Sequence, residues 1–243
     1  MRCRRQKESL DVGPISYRPS GLFTQRPLTL TKETSTNVTA TRPSKIVCVG
    51  RNYRDHAKEM GNDVPSEPLI FLKPSTSIIA NGDSIVLPPQ STQVEHEGEI
   101  GVVVGRVLRR ATAQEARKAI SKIVAANDVT ARDLQRSDSQ WTRAKGFDTF
   151  CPLGEPGDPP DDLSSLTVVT KVNGVERQRG SGSDMVFSIP DMLAYVSHIM
   201  TLEPGDLVLT GSPAGVGKLS PGDEVEVEVL GVSRVRNPVT AEA

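Results

Sequence analysis

From Ser44 onward the chain is a succession of short apolar runs, many of them β-branched, separated by glycine, proline and aspartate. That texture predicts strands rather than long helices. Residues 45–49 form one such run, closed by Gly50. Residues 68–72 and 84–87 form two more, the second stopped by Pro88-Pro89. Residues 166–172 read as a further strand and lead into Asn173-Gly174, a strong hairpin turn signal. Pro204-Gly205-Asp206 and Pro221-Gly222-Asp223 are turns, each ahead of a strand, at 207–209 and 225–230. Helical readings fall at residues 53–60, stopped by Gly61, at 114–120 behind Thr112 as a cap, and at 192–196, opened by Ser188-Ile189-Pro190. No long β-α-β alternation and no internal repeat is evident. The expected class is a mixed, mainly β domain with a few short helices.

The segment Val94-Glu95-His96-Glu97-Gly98-Glu99-Ile100 opens an apolar run through Val104 and is the most informative on the chain. In a strand, alternate side chains share a face, so Glu95, Glu97 and Glu99 would point the same way, neighbours about 7 Å apart. Carboxylates stacked at the mouth of an apolar strand repel one another and resist desolvation unless a cation sits among them. Oxygen ligands suit a hard divalent ion such as Mg²⁺, Mn²⁺ or Ca²⁺. A solvated edge strand carrying charges for solubility is the alternative. His96 alternates to the other face and is not expected to share the glutamates' ligand set.

Composition narrows the partners. The 29 basic and 30 acidic residues leave a formal charge of −1, so nothing global points to nucleic acid or to an anionic membrane. Cys3, Cys48 and Cys151 lie far apart without CxxC spacing, which fits a reducing compartment and a cytoplasmic location better than a disulfide framework. No apolar run is long enough to span a membrane, and no secretory signal opens the chain. Residues 1–43 differ from the rest: they carry eight Lys/Arg against three Asp/Glu and a threonine-rich tract. They are expected to be a poorly ordered arm or the remnant of a small N-terminal domain, with an organellar transit peptide as the alternative, ahead of one domain over residues 44–243.

Three further constellations carry candidate chemistry. Asp128, in Asn127-Asp128-Val129-Thr130, could join Glu97 and Glu99 to make a three-carboxylate site of the kind Mg²⁺ accepts, or could cap the turn that follows. His56 and Glu59 stand three apart on a helical segment, where the carboxylate can fix the imidazole tautomer; the pair is either a base for activating water or an ordinary surface ion pair. The chain has only three histidines, and His198, at the end of an apolar helix, reads as a dipole partner or a packed residue. Lys145, near the only tryptophan, could stabilise an oxyanion or simply be a solvated loop lysine. The glycine-rich turn Gly211–Gly217 lacks both a Walker ending and a dinucleotide fingerprint; Ser212 within it could donate to a substrate carboxylate or merely shape the turn.

Taken together and in order, these segments resemble the fumarylacetoacetate hydrolase family, in its shorter acylpyruvase-like or hydroxyhepta-dienedioate isomerase-like branch. The matching pieces are Gly50-Arg51-Asn52-Tyr53 with His56 and Glu59, Glu97-Gly98-Glu99, and Asn127-Asp128-Val129-Thr130-Ala131-Arg132-Asp133 with Gln135. Trp141 to Asp148, Ser183 to Pro190, Leu202 to Asp206 and the Gly211–Gly217 turn complete the set, which spans residues 45–237. The resemblance implies a rolled, mixed β-sheet domain with short helices, usually a homodimer. It implies that Glu97, Glu99 and Asp128 ligate Mg²⁺ or Mn²⁺, that His56 with Glu59 forms a water-activating dyad on a lid segment, and that Lys145 neutralises charge on the substrate. Arg132, Gln135 and Ser212 would hold the oxygens of a small 2-oxo acid. The implied activity is metal-dependent hydrolysis of the C–C bond of an acylpyruvate or fumarylpyruvate. The alternatives are isomerisation of a hydroxyhepta-dienedioate, decarboxylation of oxaloacetate, and a catalytically silent binding protein. Glu95-His96 replaces the family's common Asp-Tyr, Ser212 stands where threonine is usual, and the loop from Gly154 to Asp158 is shorter and more acidic than the usual apolar strand.

Overall fold

The computed structural model describes residues 42–61 and 63–242, so the expected N-terminal arm lies outside the described residues except for its last two positions. Two five-stranded sheets carry the fold. The first runs in the order Leu69–Lys73, Ile46–Gly50, Leu207–Leu209, Gly98–Val104, Ile120–Asn127. Only the pairing of Ile46–Gly50 with Leu207–Leu209 is parallel; the other neighbours are antiparallel. The second runs Val175–Ser181, Thr167–Val172, Glu224–Val229, Ser233–Ala241, Ile85–Leu87. The expected class, mainly β with short helices, is the observed one.

The sequence pattern explains how each sheet is buried. Glu224–Val229 alternates glutamate and valine, and its valines are the buried positions. Such a strand has one face on the core and one toward solvent. Those valines join Ile100, Val102 and Val104 of the first sheet in one apolar cluster. Ile46 and Cys48 point to the opposite face of the first sheet and meet Val124, Cys151, Leu207 and Leu209 in a smaller cluster. The first sheet is therefore apolar on both faces near its centre, which is why its strands read as unbroken β-branched runs.

Several local expectations hold in detail. The Thr167–Val172 and Val175–Ser181 strands form a hairpin through Asn173 and Gly174, both at positive φ (53° and 76°), the backbone that an Asn-Gly turn supplies. Thr112 caps Ala113–Ala119 with Glu115 in a reciprocal capping box. Ser188 accepts from the Asp191 amide at the start of Ile189–Ile199, with proline in the first turn. One expectation fails: residues 94–100 are not a single strand. Val94–His96 pairs in a small separate sheet with Thr130–Ala131 and Gly217–Lys218, and a new strand begins at Gly98. The chain changes sheets at Glu97, and Glu95 lies outside the Glu97, Glu99 and Asp128 cluster, bonded to an Arg132 guanidinium that it shares with Glu97.

Gly98 makes this crossing possible. A Cβ built there would lie 1.8 Å from Thr170 Oγ1 and 3.2 Å from Val227 Cγ1. The Thr170 hydroxyl is itself buried without a hydrogen-bond partner among the described residues. Gly98→Ala is expected to lower stability by about 1–3 kcal/mol through overpacking. Adding Thr170→Ala should return part of that loss, since the clashing atom goes and leaves no satisfied bond behind. Urea midpoints of the two single variants and the double variant measure this; a double variant no more stable than Gly98→Ala would show that the clash lies elsewhere.

Candidate metal and substrate site

Where the antiparallel pair Gly98–Val104 and Ile120–Asn127 ends, its two chains splay into the site. Gly98 faces Asn127 and Glu99 faces Ala126 in register. One residue further, the Asp128 amide donates to the Glu97 carbonyl at 2.8 Å, and the Asn127 side chain accepts from the Glu97 amide at 2.9 Å. These ties bring Glu97, Glu99 and Asp128 together although Asp128 lies 29 positions beyond Glu99. Each offers a carboxylate oxygen within 4.8 Å of the others, and all three are buried.

The surroundings of the three carboxylates are unequal. Asp128 accepts from Lys73 Nζ at 2.7 Å and from Lys145 Nζ at 2.6 Å. Glu97 is held by Lys145 at 2.9 Å and by the Arg132 guanidinium. Among the described residues, Glu99 accepts only the Gly211 amide, at 2.7 Å. Burial alone would raise the Glu97 carboxyl, but Lys145, Arg132 and His56 outweigh it and hold it well below the usual carboxylate range. For Glu99, burial and the neighbouring Asp128 and Glu97 carboxylates act together and push it well up. The Lys145 ammonium, which burial would discharge, is kept charged by Asp128 and Glu97 and lies 4.9 Å from the Phe71 ring centroid.

The same cavity is lined by His56, Arg132, Gln135, Trp141 and Ser212. His56, on the helix Arg54–Glu59, is only 6% exposed. Its Nδ1 lies 3.2 Å from Glu59 Oε2, and the Glu59 carboxylate also accepts the Gly215 amide at 3.0 and 3.1 Å. The glycine-rich turn thus clamps two carboxylates of the candidate site, Glu99 through Gly211 and Glu59 through Gly215. Both glycines have positive φ (99° and 101°), and a Cβ at Gly215 would lie 1.9 Å from the Arg177 carbonyl.

A model of the family described as "Fumarylacetoacetate (FAA) hydrolase C-terminal" matches residues 45–240. The chain belongs to the fumarylacetoacetate hydrolase family. It is 42% identical over 232 residues to the human mitochondrial oxaloacetate tautomerase FAHD2A, covering 90% of this chain and 74% of that one. Among solved structures it resembles a 5-carboxymethyl-2-hydroxymuconate delta-isomerase from Mycobacterium smegmatis (44% identity, TM-score 0.77, 83% and 80% of the two chains). It also resembles a fumarylpyruvate hydrolase from Pseudomonas aeruginosa in complex with Mn²⁺ and pyruvate (28% identity, TM-score 0.77, 82% and 91%).

In this family member the residues singled out from sequence gather at one place, with differences in detail. Asp128 does not cap a turn: the helix Arg132–Ser137 starts at Ala131 without a side-chain cap, and the Asp128 carboxylate faces the lysines. Arg132 spends three of its five N–H groups within the protein, on Glu95 (2.7 Å), Glu97 and Gln135 (2.5 Å). Ser212 Oγ accepts from Gln178 Nε2 at 2.6 Å and donates to the Gly98 carbonyl at 3.2 Å, so its hydroxyl is oriented before any ligand arrives. His96 stays outside the carboxylate cluster, as its alternation implied, and its Nδ1 lies 2.9 Å from Gln178 Oε1. Burial lowers its pKa below the usual imidazole value.

Two residues of the site escaped sequence reasoning. Lys73 ends an apolar strand before Pro74, a position that reads as an ordinary solvated terminus. Gln178 sits among Glu176, Arg177 and Arg179 on a strand that looks solvent-facing, yet it is 1% exposed and ties His96, Gly98 and Ser212 together. Only a break in the exposed pattern of Val175–Ser181 marks it.

The donor set fits a hard divalent cation. Four buried carboxylates (Glu95, Glu97, Glu99, Asp128) face three buried cations (Lys73, Arg132, Lys145), and the carboxylate left without a cation, Glu99, belongs to the all-oxygen triad. Because the Glu99 carboxyl is raised, a cation bound there must displace its proton. Mg²⁺ affinity is therefore expected to tighten as pH rises, with proton release visible as a buffer-dependent heat in calorimetry. Affinity independent of pH would contradict the assignment of Glu99 as a ligand.

Proposed function

We propose that this protein is a divalent-metal-dependent enzyme acting on 2-oxo acids that carry a second carbonyl or carboxyl group, and that it hydrolyses the C–C bond of an acylpyruvate or fumarylpyruvate. The observation that carries the reading is the presence, on one cavity, of the three-carboxylate cluster and an imidazole oriented by its own carboxylate. Mg²⁺ or Mn²⁺ held by Glu97, Glu99 and Asp128 would supply Lewis acidity toward the keto acid.

The remaining work belongs to the side chains. With Nδ1–H donated to Glu59, His56 presents Nε2 as a base toward the cavity. It takes a proton from water; the hydroxide adds to the distal carbonyl, the bond to the pyruvate portion breaks, and the proton returns to the departing carbon. Lys145 offsets negative charge that develops on substrate oxygens. The Gln135 amide and the two Arg132 N–H groups that make no bond among the described residues position the carboxylate end, and Ser212 joins them by turning its hydroxyl from the Gly98 carbonyl. The buried setting keeps these dipoles fixed, so they need no reorganisation as charge moves.

A second reading draws on one specific observation. The relatives named a tautomerase and an isomerase are 42% and 44% identical to this chain, against 28% for the named hydrolase. In that reading His56 carries a proton between carbon and oxygen, or between two carbons, and water takes no part. The two readings separate in a panel of acylpyruvate, fumarylpyruvate and the enol form of oxaloacetate, with products identified by NMR. Turnover is expected to vanish when the metal is chelated. His56→Ala should cut kcat by roughly 10²-fold or more while Mg²⁺ affinity stays near that of the unaltered protein; undiminished turnover would remove His56 from the mechanism.

A further inference from the structure

The carboxylate cavity opens into a second, wider recess, and Arg51, Met60, Arg132, Gln135 and Trp141 line both. The charged groups around the recess are mostly committed. Glu95 is held by Arg132 and by Gln93, at 2.6 Å from the latter. Glu59 is held by His56 and the Gly215 amide, and the Arg136 guanidinium donates to Gln93 at 2.6 Å on the exposed rim. Arg51 is different. It is half-buried, and its side chain makes no hydrogen bond or ion pair among the described residues.

Its backbone is also unusual. Arg51 has φ of 58°, a left-handed conformation that a residue with a side chain adopts only at a cost of about 1–2 kcal/mol. The neighbour enforces it: the buried Asn52 side chain donates to the Phe187 and Thr210 carbonyls and accepts the Phe187 amide, and its own carbonyl accepts the Val186 amide. Strain retained where the surroundings over-determine it is a mark of a functional position. The strain here places an uncompensated cation at the junction of the two spaces.

We infer that Arg51 receives the distal carboxylate of a dicarboxylic 2-oxo acid and so sets a preference for dicarboxylic over monocarboxylic substrates. This rests on the 2-oxo acid reading above: the keto-acid end lies toward Glu97, Glu99 and Asp128, and the far end extends past Arg51 into the recess. The guanidinium suits this task because its planar fork can pair with both oxygens of a carboxylate. A monocarboxylic acid of equal length would leave the Arg51 charge unmatched.

The test uses a pair of ligands that differ in the distal group alone. Binding of 2-oxoglutarate and of 2-oxopentanoate is measured by calorimetry in the presence of Mg²⁺, for the unaltered protein, Arg51→Gln and Arg51→Lys. The unaltered protein is expected to prefer 2-oxoglutarate by about tenfold or more, the scale of one charge-assisted contact. Arg51→Gln should erase that preference and Arg51→Lys should keep part of it, an outcome a merely structural role for Arg51 would not produce. The same comparison by KM, fumarylpyruvate against acetylpyruvate, should show the ratio collapsing in Arg51→Gln. A preference ratio unchanged by Arg51→Gln overturns the inference. Because ligand preference is read by binding, a protein that binds both acids but turns over neither would refute the catalytic reading while still deciding the role of Arg51.

Discussion

Four carboxylates lie buried within one small region of this protein, and burying charge without compensation is among the most expensive things a fold can do. Lys73, Arg132 and Lys145 are the answer, each bonded to at least one of the acids and each nearly sealed from solvent. Their distribution matters more than their number. Glu97 and Asp128 each receive two cations, and Glu95 shares Arg132 with Glu97; Glu99 receives a backbone amide alone. One acid more than the cations pair with is left at one end of the network, and burial beside Asp128 and Glu97 pushes its carboxyl well up. Side chains arranged only for stability would be better served by an apolar residue there.

The fold is organised around holding that arrangement still. The change of sheet at Glu97 turns the chain so that Glu95 meets Arg132 while Glu97 and Glu99 meet Asp128. Gly98 allows the turn because Thr170 and Val227 of the second sheet press against it. Gln178 then fastens the second sheet to the crossing, accepting from the Gly98 amide at 3.0 Å and donating to Ser212. The glycine-rich turn closes the other side through amides that reach Glu99 and Glu59. Rigid elements thus fix every carboxylate by at least one backbone or buried contact, which is what a site needs if its groups are to act without first being arranged.

Much of this was legible in the sequence, for identifiable reasons. Apolar runs with period two, Asn-Gly turns and serine or threonine caps report local physics, so strands, hairpin and helix starts fell where expected. Glu97 and Glu99 were conspicuous because two acids opening a β-branched run conflict with burial. What stayed hidden depends on partners distant in the chain. Lys73 and Gln178 carry side chains that belong on any surface, and only tertiary structure buries them. The break at Glu97 was equally hidden: alternation along Val94 to Ile100 is continuous in the letters, and the interruption comes from the second sheet, seventy and more residues away at Thr170 and Gln178. Glu95, which alternation groups with Glu97 and Glu99, meets Glu97 only through Arg132 and stays outside the three-carboxylate cluster.

The charge pattern also explains why such a site would discriminate between an acid arriving before the metal and one arriving after it. With four acids set against three cations, and the Glu99 carboxyl pushed up by burial and its acidic neighbours, the cluster by itself offers no net attraction for the carboxylate of a 2-oxo acid. A divalent ion held by Glu97, Glu99 and Asp128 would leave one excess positive charge once all three carboxylates are ionised. Attraction for an anion would then exist at the carboxylate cluster as well as at Arg51, which lines both the cluster's cavity and the adjoining recess. A ligand with a single anionic end is drawn to either point and held at one. A ligand with two would be oriented, because only one direction satisfies both, and under the proposed function that orientation would turn its reactive carbon toward His56.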